Sequence, residues 1–285
     1  MEFSRSITEI IKERSSWRTY YPELLDDNIK EKLKEVLKLS NIESPFDSGQ
    51  NKCRFELVSV SEFDPDEERK LGTYGIISGA QEFIVGTSFK SEHYKENFGY
   101  LMEVIILKAT DLGLGTCWLG GTFNRSIFSQ KVQCKEGEIV PAISPIGYPA
   151  KRRTREKIIR RFLSAKNRKP WDKLFFLNDF QSELPNKDLG DYSLILEMVR
   201  LGPSAKNGQP WRIVKQKDQN TYHFYVRYPE RKLYRFFVMM DIGIAICHFD
   251  LTAKDLSITG DWYFEEPRNI QPKEDLKYVI TWKGT

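Results

Sequence analysis

Residues 97–118, NFGYLMEVIILKATDLGLGTCW, align without a gap on residues 241–262, DIGIAICHFDLTAKDLSITGDW. Six of the 22 positions coincide: Gly99/Gly243, Leu107/Leu251, Ala109/Ala253, Asp111/Asp255, Leu112/Leu256 and Trp118/Trp262. A shared glycine near the start and a shared tryptophan at the end tie the likeness to one helical unit, so the chain reads as an internal duplication. The copies part where the helix ends. The first continues GLGTCWLGG (113–121) and the second SITGDWYFE (257–265). Glycine is needed where backbone turns at positive φ or lies close against a ligand. The first copy is therefore expected to keep a ligand-approach loop that the second has lost.

Hydrophobic periodicity supplies the remaining elements. Helices are expected over 6–14, over 28–39 with Asp27 or Asn28 as cap and Glu31 at capping-box distance from Asn28, over about 95–112 with Gly113 as its stop, over 194–201, and over 241–256. Strands are expected at 54–60, 82–89, 139–149, 211–215, 222–228 and 277–282. Residues 178–191 are polar, hold Pro185 and Gly190, and read as a linker. They divide the chain into 1–178 and 179–285.

Composition narrows the function classes. No uninterrupted apolar run reaches the ~20 residues that span a membrane, the best two being broken by Glu103 and Asp241. The N-terminal residues lack the apolar stretch of a secretion signal. Cys53, Cys117, Cys134 and Cys247 form no CxxC pair, which fits free thiols in a reducing, cytoplasmic setting. The three histidines, His93, His223 and His248, have no Cys or His at ligand spacing, so no metal is expected. The net charge of +4 hides an asymmetry. Residues 151–169, KRRTREKIIRRFLSAKNRK, carry ten basic residues and Glu156, or +9, which leaves 34 minus 39, or −5, for the rest. Such a stretch is an anion site or a solvated helix face. Nucleic acid is not expected there, because only Phe162 and Trp171 could stack on bases.

Four strings carry a family resemblance: Arg14-Ser-Ser16-Trp-Arg18, Gly113-Leu-Gly-Thr-Cys-Trp-Leu-Gly120-Gly121, Lys166-Asn-Arg168-Lys-Pro170 preceded by Gly147-Tyr-Pro149, and Pro203-Ser204-Ala205-Lys-Asn207-Gly-Gln-Pro-Trp211. The last is the most specific. Together they resemble the flavin-dependent nitroreductases, across most of the chain. The order departs from an ordinary subunit, in which PSxxNxQPW follows RxSxR directly; here residues 40–54 take its place and the motif appears in the second half. The chain thus resembles the fused, internally duplicated nitroreductases. The resemblance implies an α+β nitroreductase-like fold, with mixed central sheets flanked by helices and two pseudo-twofold-related halves forming an intramolecular dimer. It also implies one complete FMN site per chain.

The resemblance also implies roles for individual residues. Arg14, Lys166 and Arg168 would grip the FMN phosphate, with Ser16 bonding phosphate or ribityl chain. Arg18 would sit near flavin N1 and O2, where negative charge develops on reduction. Gly120 and Gly121 would present backbone beside flavin N5. Pro203, Ser204, Ala205 and Asn207 would edge the ring. No protein acid, base or nucleophile is required. NAD(P)H would be the hydride donor, and a nitroaromatic, quinone or similar small molecule the acceptor. A monomer is expected because the partner half is built in, and a homodimer stays open. So do ordinary structural roles: surface charge for the cations, a cap for Ser16, a tight turn for Gly120 and Gly121, and an Asx-turn for Asn207. Arg152 and Arg153 are weaker candidates, and the other basic residues of 151–169 read as solvated. A flavin-binding protein with decayed catalysis is the alternative function.

Overall fold

A computed structural model describes the chain except for Met1, 39–41, 48–51, 74–75, 153, 163–166 and 188. It divides into two compact units: residues 1–5 with 13–162, and residues 6–12 with 163–285. The division at 162/163 lies earlier than the polar linker suggests. Strand β6 (Phe175–Leu177), ahead of that linker, pairs parallel with β7 (Trp211–Lys215) and so belongs to the second sheet. Helix α1 (Ile7–Glu13) buries Ile7, Ile10 and Ile11.

In the first unit come α2 (Asp27–Leu37), β1 (Cys53–Ser59), α3 (Pro65–Arg69), β2 (Glu82–Phe89), α4 (Tyr94–Asp111), β3 (Gly115–Thr116), α5 (Arg125–Lys131), β4 (Glu138–Ile139), β5 (Ile143–Gly147) and α6 (Thr154–Phe162). The sheet order is β1-β2-β5-β3, all antiparallel, with β4 on β2. Its core gathers Phe83, Val85, Leu119, Phe128 and Ile143, with Phe128 meeting Phe63, Phe83 and Phe123 edge-on. Helix α4 is buried around most of its circumference, as an all-round apolar helix must be in a soluble core. The expected capping box at α2 does not form: Asp26 is the cap residue, its side chain makes no bond to the helix and accepts instead from Tyr148 Oη at 2.6 Å, and Glu31 binds Lys34 at 2.8 Å. The expected strand over 139–149 is confined to β5 with the short β4 ahead of it, and Pro141 lies in the break.

The second unit continues with α7 (Asp191–Leu201), β7, β8 (Thr221–Arg227), α8 (Lys232–Asp255), β9 (Gly260–Tyr263) and β10 (Leu276–Gly284). Its sheet runs β6-β7-β8-β10-β9. Helix α8 starts well before the expected 241. Within Tyr234–Asp255 the most apolar 18-residue window has a mean hydropathy of 1.6, so the segment is long and apolar enough to cross a membrane, which the count of unbroken apolar runs missed. The most apolar window is 78% buried within the protein, and Asp241, His248 and Asp250 are buried with it, as in a core helix. Around Phe249 pack Tyr222, Phe224, Trp262 and Trp282.

The duplication is visible in the topology. The series α2-β1-β2-α4-β3-β5 corresponds to α7-β7-β8-α8-β9-β10, with strand orders β1-β2-β5-β3 and β7-β8-β10-β9. The two long helices end in the same way. The Leu114 amide donates to Ala109 O at 2.9 Å, and the Ile258 amide to Ala253 O at 2.9 Å. Gly113 has φ +78° and Ser257 φ +58° at equivalent places.

Candidate functional site

In the first unit, two of the motifs come together. The segment carrying Arg14, Ser16 and Arg18 is extended and runs beside β3. Ser16 bridges Thr116 in parallel, and the Trp17 amide donates to Thr116 O at 2.8 Å. Gly115 allows a close approach there, since a Cβ would crowd the Trp17 side chain at 3.0 Å. The segment is held on its other side as well: Tyr20 N–H donates to Ser78 O and Ser78 N–H to Arg18 O, both at 2.9 Å.

Arg14 is a largely enclosed cation. Its side chain is 6% exposed, and Nε lies 3.8 Å from Oε1 of Glu103, whose side chain is fully buried. That distance is ionic contact rather than a hydrogen bond, and Nε has no hydrogen-bond partner among the described residues. Glu103 is also held by Trp118 Nε1 at 2.7 Å. A buried guanidinium with donor capacity to spare fits an anionic ligand. Arg152, one of the weaker candidates, stacks 3.7 Å over Trp17 and donates to Ser15 Oγ and Glu156 Oε1, both at 3.0 Å. Buried Glu156 in turn accepts from Thr19 Oγ1 at 2.8 Å. Cys117 is 2% exposed, and burial pushes its thiol up against the pull of Arg18 and Arg14, as suits a packing residue.

Gly120 and Gly121 follow the bridge between Leu119 and Ile143. Gly120 O accepts from Arg125 Nη2 at 3.0 Å, and Gly121 is exposed. Neither has positive φ, so the conformational demand falls on Gly113 instead.

In the second unit, Lys166 lies outside the described residues. Arg168 and Asn207 meet: Arg168 Nη1 donates to Asn207 Oδ1 at 3.0 Å, and Nη2 to Leu201 O at 2.9 Å. The Asn207 amide donates to Asn167 O at 2.8 Å, and Gln209 Nε2 donates to Asn207 Oδ1 at 3.2 Å. Ser204 Oγ accepts from the Gln209 amide at 2.9 Å, Pro203 is half-buried and Ala205 is exposed. Lys206, Asn207 and Gln209 all hold positive φ, at +52°, +57° and +42°. Three such residues in one short loop cost energy and cluster at sites under functional constraint.

Two contributors were not among the sequence candidates. Asp241, 5% exposed on α8, accepts the Ala205 amide with both oxygens, at 3.0 and 3.2 Å. Burial pushes its carboxyl up to about 8. Lys169, expected to be solvated, donates to Gly208 O at 2.6 Å. The signal for Glu103 and Asp241 was present as a lone acid within an apolar helix, though read only as an interruption.

A family profile described as "Putative TM nitroreductase" matches residues 6–253. The chain belongs to this family. A solved structure from Thermotoga maritima, described as a putative nitroreductase, is 19% identical, with a TM-score of 0.60 over 99% of this chain and 95% of that one. A nitroreductase family protein from Clostridium novyi is 22% identical over 53% of this chain and 87% of its own, with a TM-score of 0.42. A nitroreductase with bound FMN from Desulfitobacterium hafniense is 19% identical over 52% and 92%, with a TM-score of 0.41. No curated protein matches the chain. As a nitroreductase-family chain it places RxSxR and GLGTCW side by side in one unit, and the arginine of KxR beside PSxxN in the other.

Proposed function

We propose that the chain is an FMN-dependent oxidoreductase of nitroreductase type, with NAD(P)H as hydride donor and a nitroaromatic, quinone or similar small molecule as acceptor. The observation that carries this reading is the pairing of Ser16 with Thr116, which lays two flavin motifs about a hundred residues apart against each other. When bound, FMN supplies the hydride chemistry. The residues' part is to hold, orient and screen.

Arg14 and Lys166 are assigned to the phosphate, with Ser16 as a further donor. Arg18 offers positive charge near the pyrimidine edge, and the backbone at Gly120 and Gly121 offers close approach without a side chain. Pro203, Ser204, Ala205 and Asn207 supply a rigid edge. Arg168 is tied to Asn207, so its part includes fixing that loop as well as adding charge. Among the residues assigned to the flavin, none needs to gain or lose a proton for this role. The unit of residues 1–5 and 13–162 carries RxSxR and the glycine loop, and the unit of residues 6–12 and 163–285 carries KxR and PSxxNxQPW. The protein is proposed to act as a cytoplasmic monomer, independent of membranes and nucleic acid.

The test is optical. Purified protein should carry flavin absorbance, and anaerobic NADH or NADPH should bleach it. Bound flavin that neither nicotinamide reduces would overturn the enzyme and favour a flavin-binding protein with decayed catalysis. The second reading rests on the missing glycine loop after α8.

A further inference from the structure

Strand β7 alternates across its sheet. Trp211 and Ile213 lie on one side, Arg212 and Val214 on the other, where Val214 packs with Tyr225, Ile270, Phe176 and Phe180. On that second side is a cavity of about 460 Å³. Its basic wall is Lys169, Arg212, Arg227 and Lys273, and its apolar wall is Phe176, Phe180 and Leu276. Among the described residues, none of those assigned to the flavin lines it.

The basic wall is built, not incidental. Arg212 is 6% exposed, and its Nη1 donates to Gln209 O at 3.1 Å and Trp211 O at 2.6 Å. Lys169 Nζ donates to Gly208 O at 2.6 Å and Gln209 O at 3.3 Å. All of these acceptors are backbone carbonyls, and neither cation has an ion pair among the described residues. The acids nearby are committed in part: Asp172 pairs with Lys173 at 2.9 Å and Asp275 with Arg227 at 2.7 Å, leaving Glu183 at the exposed rim. Burial, then the charges of Arg212 and Arg227, pull Lys169 down to about 8, and burial with Arg227 pulls Arg212 down to about 10. Like charges enclosed together are costly, and a bound anion relieves that cost.

We propose that this cavity binds a small aromatic anion, its phosphate or carboxylate held by Lys169, Arg212 and Lys273 and its ring against Phe176, Phe180 and Leu276. The volume suits one ring with one anionic group, near the lower end for small-molecule sites. The guanidinium fork of Arg212 favours an oxyanion over a halide. Edge and face contacts from Phe176 and Phe180, whose rings meet edge-on at 5.6 Å, favour a flat ring. The inference does not depend on the flavin reading.

The experiment is calorimetric titration of the intact protein with phenyl phosphate, inorganic phosphate and benzoate. Phenyl phosphate or benzoate should saturate at about one per chain, roughly tenfold or more tighter than inorganic phosphate. Lys273→Gln, at an exposed position, should weaken binding about tenfold with flavin content unchanged, and Arg212→Lys should weaken it further by removing the fork. Affinity should fall as pH rises through about 8, as Lys169 loses its proton in the field of Arg212, Arg227, Lys173 and Lys273, opposed by Asp172 and Glu183. No saturation by either aromatic anion at millimolar concentration would overturn the proposal. So would equal binding of inorganic phosphate, or an affinity that neither variant moves.

Discussion

Arg14 and Asp241 are the two side chains on which the candidate motifs turn, and each depends on a burial that its neighbours in sequence do not announce. Arg14 faces Glu103 at 3.8 Å, too far to satisfy its Nε. Arg14→Ala should therefore lower FMN affinity by roughly ten- to a hundredfold while the chain stays folded, read as the flavin-to-protein absorbance ratio after gel filtration. Full retention of flavin would remove Arg14 from the phosphate site. Asp241 makes a pH prediction. Its carboxyl titrates at about 8 in the folded chain and near 4 when unfolded. The folded state holds the extra proton between those values, so its stabilising share is complete below about pH 4 and is lost as pH rises to about 8. Asp241→Asn cannot ionise, so its Tm should gain on the parent across that window. Parallel Tm curves would contradict a neutral, buried Asp241. The motifs themselves were legible because each is a contiguous string. The partners were not: Glu103 meets Arg14, Asp241 meets Ala205 and Arg168 meets Asn207 only through long-range folding.

Helices α4 and α8 close with the same backbone bonds, yet one uses Gly113 and the other Ser257 at positive φ. A Cβ at Gly113 would meet nothing within 4 Å, so only backbone conformation is at stake there. Gly113→Ala should cost about 1–2 kcal/mol, and Ser257→Gly should gain about 1 kcal/mol, both read by urea unfolding. A stabilising Gly113→Ala or a destabilising Ser257→Gly would show that the two ends are not equivalent. Long elements with clean periods were legible: β2 and β7 match their expected ranges, and α4 differs by a single residue at each end. Short ones were not. Helix α5 buries only Phe128, and β6 is three residues long and exists through its pairing with β7. The start of α8 has no side-chain cap to mark it.

At the scale of the molecule, the repeat seen in 22 aligned residues extends to a repeated series of two helices and four strands. Duplication explains how one copy can lose its glycine loop while the other loses PSxxN, provided that the chain as a whole keeps one of each. The basic stretch 151–169 has several fates: Arg152 packs on Trp17, Arg168 ties down Asn207, and Lys169 lines the cavity beside β7. The central claim is that one flavin set survives per chain, and the flavin-to-chain ratio of the purified, FMN-saturated protein tests it most directly. The account predicts about one FMN per chain; a ratio of two would contradict the loss of the second set, and a ratio of zero would contradict the flavin assignment itself.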